Sequence, residues 1–283
     1  MTPIELFHEK AGTGRPIVCL HGFGATSYLW RSIVPALASR NEVHIVDLKG
    51  FGRSPKPWDG RYSIVDQAEL VLSLISKEKL KNVTLVGHSL GGSVAIVLAQ
   101  RLAQTGSDAL SSLVLMSTPA GDERGPWFGK LVKHRILGPV VLRILPPRLQ
   151  VYLALRFTYH DNRKITRAQV EEYARSLGSP GGREALHQTL RAIDDAIIAL
   201  LKSYIAAIRV PTLLVWGRHD PLVPVESGHQ LENMIKGSKL EVIENSGHTP
   251  AEETPDPVIR AIVEFLHRGA TEETIGNEVF ARR

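Results

Sequence analysis

The chain has 283 residues, 43% of them hydrophobic and 22% charged, with a formal net charge of +5; such a chain buries one large core with an insertion, or two small ones. No apolar run reaches the roughly 18 residues of a membrane-crossing helix, and Met1-Thr2-Pro3-Ile4-Glu5 lacks the regions of a signal peptide, so a cytoplasmic protein without stable membrane insertion is expected. A single cysteine, Cys19, excludes an internal disulfide and a cysteine-based zinc cluster, and its apolar setting Ile17-Val18-Cys19-Leu20 suits an inert buried thiol.

Ile4 to Glu9 reads as a strand and Ala11-Gly12-Thr13-Gly14 as a turn; Ile17 to Leu20 is an apolar strand that stops at His21-Gly22-Phe23-Gly24-Ala25-Thr26. A helix is predicted from about Ser27 to Ser39 and a strand from Val43 to Asp47. Asp47 to Ser54 is a glycine-rich loop kept irregular by Pro55 and Pro57. Ile64 to Lys79 has helical spacing, with Val65, Ala68, Leu72 and Ile75 on one face. Val83 to Val86 is a β-branched strand, and Ser93 to Gln100 an apolar helix that ends near Thr105-Gly106. Leu113 to Met116 makes the next strand.

From about Pro119 to Ile208 the pattern contains no strand-like run. It consists of helical pieces broken at Gly138-Pro139, Pro146-Pro147 and Ser179-Pro180-Gly181-Gly182, and Thr166-Arg167-Ala168-Gln169 reads as a capping box opening a helix through Ser176. Strands resume at Thr212 to Trp216 and Leu240 to Ile243. A helix from about Pro257 to His267 closes the fold. The expected class is α/β, a doubly wound, mostly parallel sheet with an all-helical cap insertion. The expected division is a first core part at 1–119, the cap at 120–208, a second core part at 209–268 and a polar tail at 269–283. Such sheets place their chemistry in loops at the carboxyl ends of the strands, where the cap can lie over it.

Charge is unevenly spread. From Gly121 to Arg167 there are ten Lys or Arg against Asp122, Glu123 and Asp161, a net of +7 that leaves the rest of the chain at −2. A basic surface draws in anionic substrates or membranes, but these residues mostly alternate with apolar ones at helical spacing, as on a solvated face.

Gly87-His88-Ser89-Leu90-Gly91-Gly92 joins an apolar strand to an apolar helix, the context of a nucleophile elbow. Ser89 is the candidate nucleophile. A serine needs a base, and that base a third group to hold its tautomer. Of eleven histidines, His248 lies in a loop just after the last strand, at the end of the sheet expected to hold Ser89. His88 points away from its neighbour and packs beside the sheet, and His21 ties loops together. His8, His44, His134, His160, His187, His219, His229 and His267 lack a matching position. Asp220, in the loop after the penultimate strand, is the candidate acid, with Asp122 in reserve. The backbone N–H groups of Phe23 and Leu90 are the expected oxyanion donors.

These residues resemble the α/β-hydrolase superfamily. Gly87 to Gly91 is similar to its Gly-x-Ser-x-Gly elbow, His21 to Gly24 to its oxyanion loop, and Asp47 to Ser54 to its Asp-x-x-Gly-x-Gly-x-Ser loop. Ser89, Asp220 and His248 follow its chain order. The resemblance covers about 1–120 and 208–268 and implies the α/β-hydrolase fold; only one strand precedes Ile17 instead of the usual pair, so the sheet is expected to lack an edge strand.

A serine at the elbow implies an acyl-enzyme, and the leading reading is a carboxylesterase acting on small to medium, largely apolar esters. One alternative is carbon–carbon cleavage of ring-fission diketones, although members that do this commonly carry asparagine where this chain has His88. Acyl transfer and perhydrolysis use the same triad. A non-catalytic small-molecule receptor built on the same pocket is the alternative of another class. No cofactor, metal or nucleic acid is expected, and the protein is expected to be a monomer or homodimer.

Overall fold

The computed structural model describes residues 4–104, 109–119, 121 and 131–280, the last twelve of them by backbone alone. Its centre is a seven-stranded sheet of β1 (His8–Ala11), β2 (Arg15–Leu20), β3 (Asn41–Val46), β4 (Val83–His88), β5 (Leu110–Met116), β6 (Thr212–Gly217) and β7 (Lys239–Ile243), in the order β1-β3-β2-β4-β5-β6-β7. β1 runs antiparallel to β3, with His8 opposite Val46, and every other pairing is parallel. Among the described residues one strand precedes β2, as the sequence implied. It lies at His8–Ala11, later than the predicted Ile4 to Glu9, because it pairs only where Val43 to Val46 offer a partner edge.

Parallel strands covered on both faces must be apolar throughout. In β2 the pleat sends Val18 and Leu20 to one face and Ile17 and Cys19 to the other, and all four are buried. The first face packs against α2 (Ile64–Lys77), α3 (Leu90–Gln104) and Leu201 and Ile205. The second packs against Trp30, Leu37, Val258 and Ile262. Burial pushes the Cys19 thiol pKa well above its ordinary value.

The helix predicted over Ser27 to Ser39 is divided. Ser27–Trp30 is a 3-10 turn, and α1 is only Val34–Leu37. Pro35 has no N–H to give an upstream carbonyl, so it fits the first turn of a new helix and not the middle of a continuous one. α2 opens on a full capping box: the Ser63 hydroxyl accepts from the Asp66 N–H, while the Asp66 carboxylate accepts from the Ser63 N–H.

Between β5 and β6 the described residues form α4 (Leu137–Ile144), α5 (Pro147–Thr158), α6 (Arg167–Gly178), α7 (Gly182–Arg191) and α8 (Asp195–Ala206), with no strand among them. The capping box expected at α6 is half made. Thr166 Oγ1 accepts from the Gln169 N–H at 3.2 Å, but the Gln169 side chain turns away to give Nε2 to the Tyr159 hydroxyl at 2.5 Å. After β6 come α9 (Val225–Met234), α10 (Pro250–Glu253) and α11 (Pro255–Phe280). α11 runs past residue 269, where a tail was expected. Gly269 weakens a helix by about 1 kcal/mol, but no proline follows to stop it.

Candidate active site

β4 delivers the chain to Ser89, whose φ of +52° is a left-handed conformation that costs a non-glycine residue about 1–3 kcal/mol. Its neighbours hold it there. The Ser89 N–H donates to the Met116 carbonyl at 2.8 Å, and a Cβ at Gly87 or Gly91 would lie 2.5 Å from the Gly91 carbonyl oxygen or 2.2 Å from that of Leu20. Only glycine lets β4, α3 and β2 approach so closely.

The structure brings Ser89, His248 and Asp220 together. His248 Nε2 lies 3.0 Å from Ser89 Oγ, and His248 Nδ1 lies 2.8 Å from Asp220 Oδ2. The other Asp220 oxygen accepts from the N–H groups of Leu222 and Val223, both at 2.9 Å. Burial alone would raise this carboxyl, but the His248 ring and those donors hold its pKa below the ordinary value. An ionised Asp220 requires a proton on His248 Nδ1, which leaves Nε2 to accept from the serine hydroxyl. Held as an acceptor in this way, Nε2 can draw the proton from Ser89 and make its oxygen a nucleophile.

The other residues singled out in the sequence surround this relay. Phe23 and Leu90 flank the site, and among the described residues neither backbone N–H has a protein acceptor; Leu90 opens α3, where helix N–H groups lie unpaired. His21 accepts the Leu48 N–H on Nε2 at 3.0 Å and gives Nδ1–H to the Gly22 carbonyl at 2.8 Å, so it joins two loops. The Asp47 carboxylate takes the N–H groups of Ser27 and Arg53, and a Cβ at Gly52 would fall 2.1 Å from it. The glycine-rich loop is therefore a brace beneath the site. Asp122, the reserve acid, lies outside the described residues. Among those described, no group of three or more His, Cys, Asp or Glu is arranged to hold a metal ion.

The contacts of three further residues escaped sequence reasoning. His88 is buried and gives Nε2–H to the His248 carbonyl at 2.8 Å; burial, aided by the nearby His248, drives its pKa down to about 3. The buried Glu253 carboxylate accepts from Gly247 N at 2.7 Å, Asp161 N at 2.6 Å and His160 N at 3.2 Å, and so fastens the end of α5 to the His248 loop. His248 N also donates to Thr158 O at 2.7 Å. Glu252 pairs with Arg31 and accepts from the Tyr173 hydroxyl at 2.9 Å, joining α6 to the core. Burial raises the Glu252 pKa against the pull of Arg31. The adjacent acids four and five residues beyond His248 were the one available signal.

The pattern of the alpha/beta hydrolase fold family matches residues 15–255. The pimeloyl-[acyl-carrier protein] methyl ester esterase of Aeromonas hydrophila is 30% identical over 264 residues, covering 91% of this chain and 98% of its own. The 2-hydroxy-6-oxo-6-(2'-aminophenyl)hexa-2,4-dienoic acid hydrolase of Metapseudomonas resinovorans is 28% identical, covering 94% of this chain and 89% of its own. An alpha/beta hydrolase fold protein from Burkholderia ambifaria superposes with a TM-score of 0.81 at 25% identity, covering 92% of this chain and 93% of that one.

Proposed function

The chain belongs to the alpha/beta hydrolase family, and from that premise we propose that it is a serine carboxylesterase using Ser89, His248 and Asp220. The observation that carries this reading is the unbroken hydrogen-bonded series from Ser89 Oγ to the Asp220 carboxylate, at 3.0 and 2.8 Å. His248 removes the hydroxyl proton as Ser89 Oγ attacks the ester carbonyl; the oxyanion is met by the N–H groups of Phe23 and Leu90. The alkoxide leaves with the proton from His248. Water then repeats the sequence on the acyl-enzyme and releases the acid.

The similarity to an esterase of a carboxylate methyl ester supports an ester as substrate. Apolar side chains near the oxyanion loop support a largely apolar one: Phe23 is partly exposed beside Phe51, and a Cβ at Gly24 would lie 3.6 Å from Leu186. The relative that hydrolyses a dienoic acid favours a second reading, carbon–carbon cleavage of a vinylogous diketone at the same serine.

Release of p-nitrophenol from short-chain esters tests the proposal. Many turnovers are expected, with kcat falling on the order of 10⁶-fold in Ser89→Ala. Bleaching of a ring-fission diketone chromophore without ester turnover would favour the second reading. A single stoichiometric burst would instead favour a receptor that has kept the pocket.

A further inference from the structure

Helices α4 and α5 carry large apolar side chains on their outer sides. Ile136 and Ile144 are 70% and 72% exposed, and Leu137, Val140 and Leu153 are each about half exposed. Ile136 caps α4 in a helical conformation, and positions 136, 140 and 144 are four residues apart, so they fall in one row along the helix. The opposite sides of these helices are already satisfied, with Leu142, Val151 and Leu155 buried. A contiguous exposed row of this kind marks an interaction surface.

The charge within this segment is of one sign. Residues 131–156 include Lys133, Arg135, Arg143, Arg148 and Arg156 and no Asp or Glu. Among the described residues no carboxylate pairs with Arg135, Arg143 or Arg156, and the carboxylate that reaches Arg148 is that of Glu171, at 3.8 Å. The basic segment is thus not only a solvated face, because its exposed positions alternate between guanidinium groups and bare aliphatic side chains.

We propose that this side of the cap docks reversibly on an anionic phospholipid bilayer, its apolar row entering the headgroup layer and its arginines pairing with lipid phosphates. A groove of about 460 Å³, lined by Leu149 and Tyr152 of α5 with Ile165 and Val170 and by Arg148 and Arg167, offers room for part of an acyl chain. A second copy of the chain fits poorly, since an isologous contact sets like charges against each other. The docking stands apart from the esterase reading and is measured without it.

Flotation with vesicles of phosphatidylcholine, alone or mixed with an equal part of phosphatidylglycerol, tests the surface using the full chain and its Ser89→Ala variant. Both proteins are expected to float with the mixed vesicles, to ignore the neutral ones and to be released as salt rises. Arg143→Gln and Arg156→Gln should each weaken binding about fivefold, and Ile136→Ser with Ile144→Ser roughly tenfold or more, with circular dichroism unchanged. Absence of flotation, equal binding to neutral vesicles, or indifference to these substitutions overturns the proposal. Self-association that the same substitutions abolish assigns the face to a second copy, and preference for polyglutamate over vesicles assigns it to an acidic protein; either result also overturns it.

Discussion

Asp220 shows how much of the site depends on single atoms. One of its oxygens faces His248 Nδ1 and the other takes two backbone donors. Asp220→Asn keeps the backbone bonds through its amide oxygen but turns an NH₂ toward Nδ1, which favours the wrong imidazole tautomer. On p-nitrophenyl esters kcat should fall about 10⁴-fold, the loss known for the same change in serine proteases, with melting temperature nearly unchanged. A kcat within tenfold of wild type would remove Asp220 from the relay. That Ser89, Asp220 and His248 would meet was legible because each follows a strand end and its chemistry leaves few rivals. His88 and Glu253 were not. Their roles come from contacts made 160 and 93 residues away along the chain, which no local pattern encodes.

At the scale of elements, α10 acts as a clasp between the end of α5 and the loop of His248. Three N–H groups converge on the Glu253 carboxylate, and an amide in its place has one acceptor oxygen and presents an unwanted donor. Glu253→Gln therefore leaves at least one buried N–H unpaired, costing about 1–3 kcal/mol. Differential scanning calorimetry should show the melting temperature lowered by several degrees; an unchanged melt would mean the clasp carries no stability. Gly91→Ala should be more damaging, because its methyl group would collide with the Leu20 carbonyl and force β2 away from α3. Loss of soluble folded protein on gel filtration checks this. Parallel strands and α2 could be read from apolar runs and period. Shifts concentrated where partners decide the outcome: β1 pairs only where β3 reaches it, and Pro35 restarts a helix that spacing alone would have continued.

The whole molecule is built to keep some imidazoles dry. Burial lowers the pKa of His21, and that of His88 to about 3, so both are neutral in the fold. The unfolded chain takes up those protons near pH 6.5. The stability they hold is complete above that pH, declines on acidification and is lost as pH falls through the folded values. For His88 alone this is about 2 kcal/mol at pH 5. Thermal melts should weaken steadily from pH 7 to pH 5, and His88→Phe should flatten that slope; equal slopes would argue against a neutral His88. Cys19, the sole sulfhydryl of the chain and fully enclosed in β2, is a built-in reporter of how often that interior opens. A thiol reagent reaches it only when central strands part, so labelling kinetics under native conditions count those excursions directly, without any added probe.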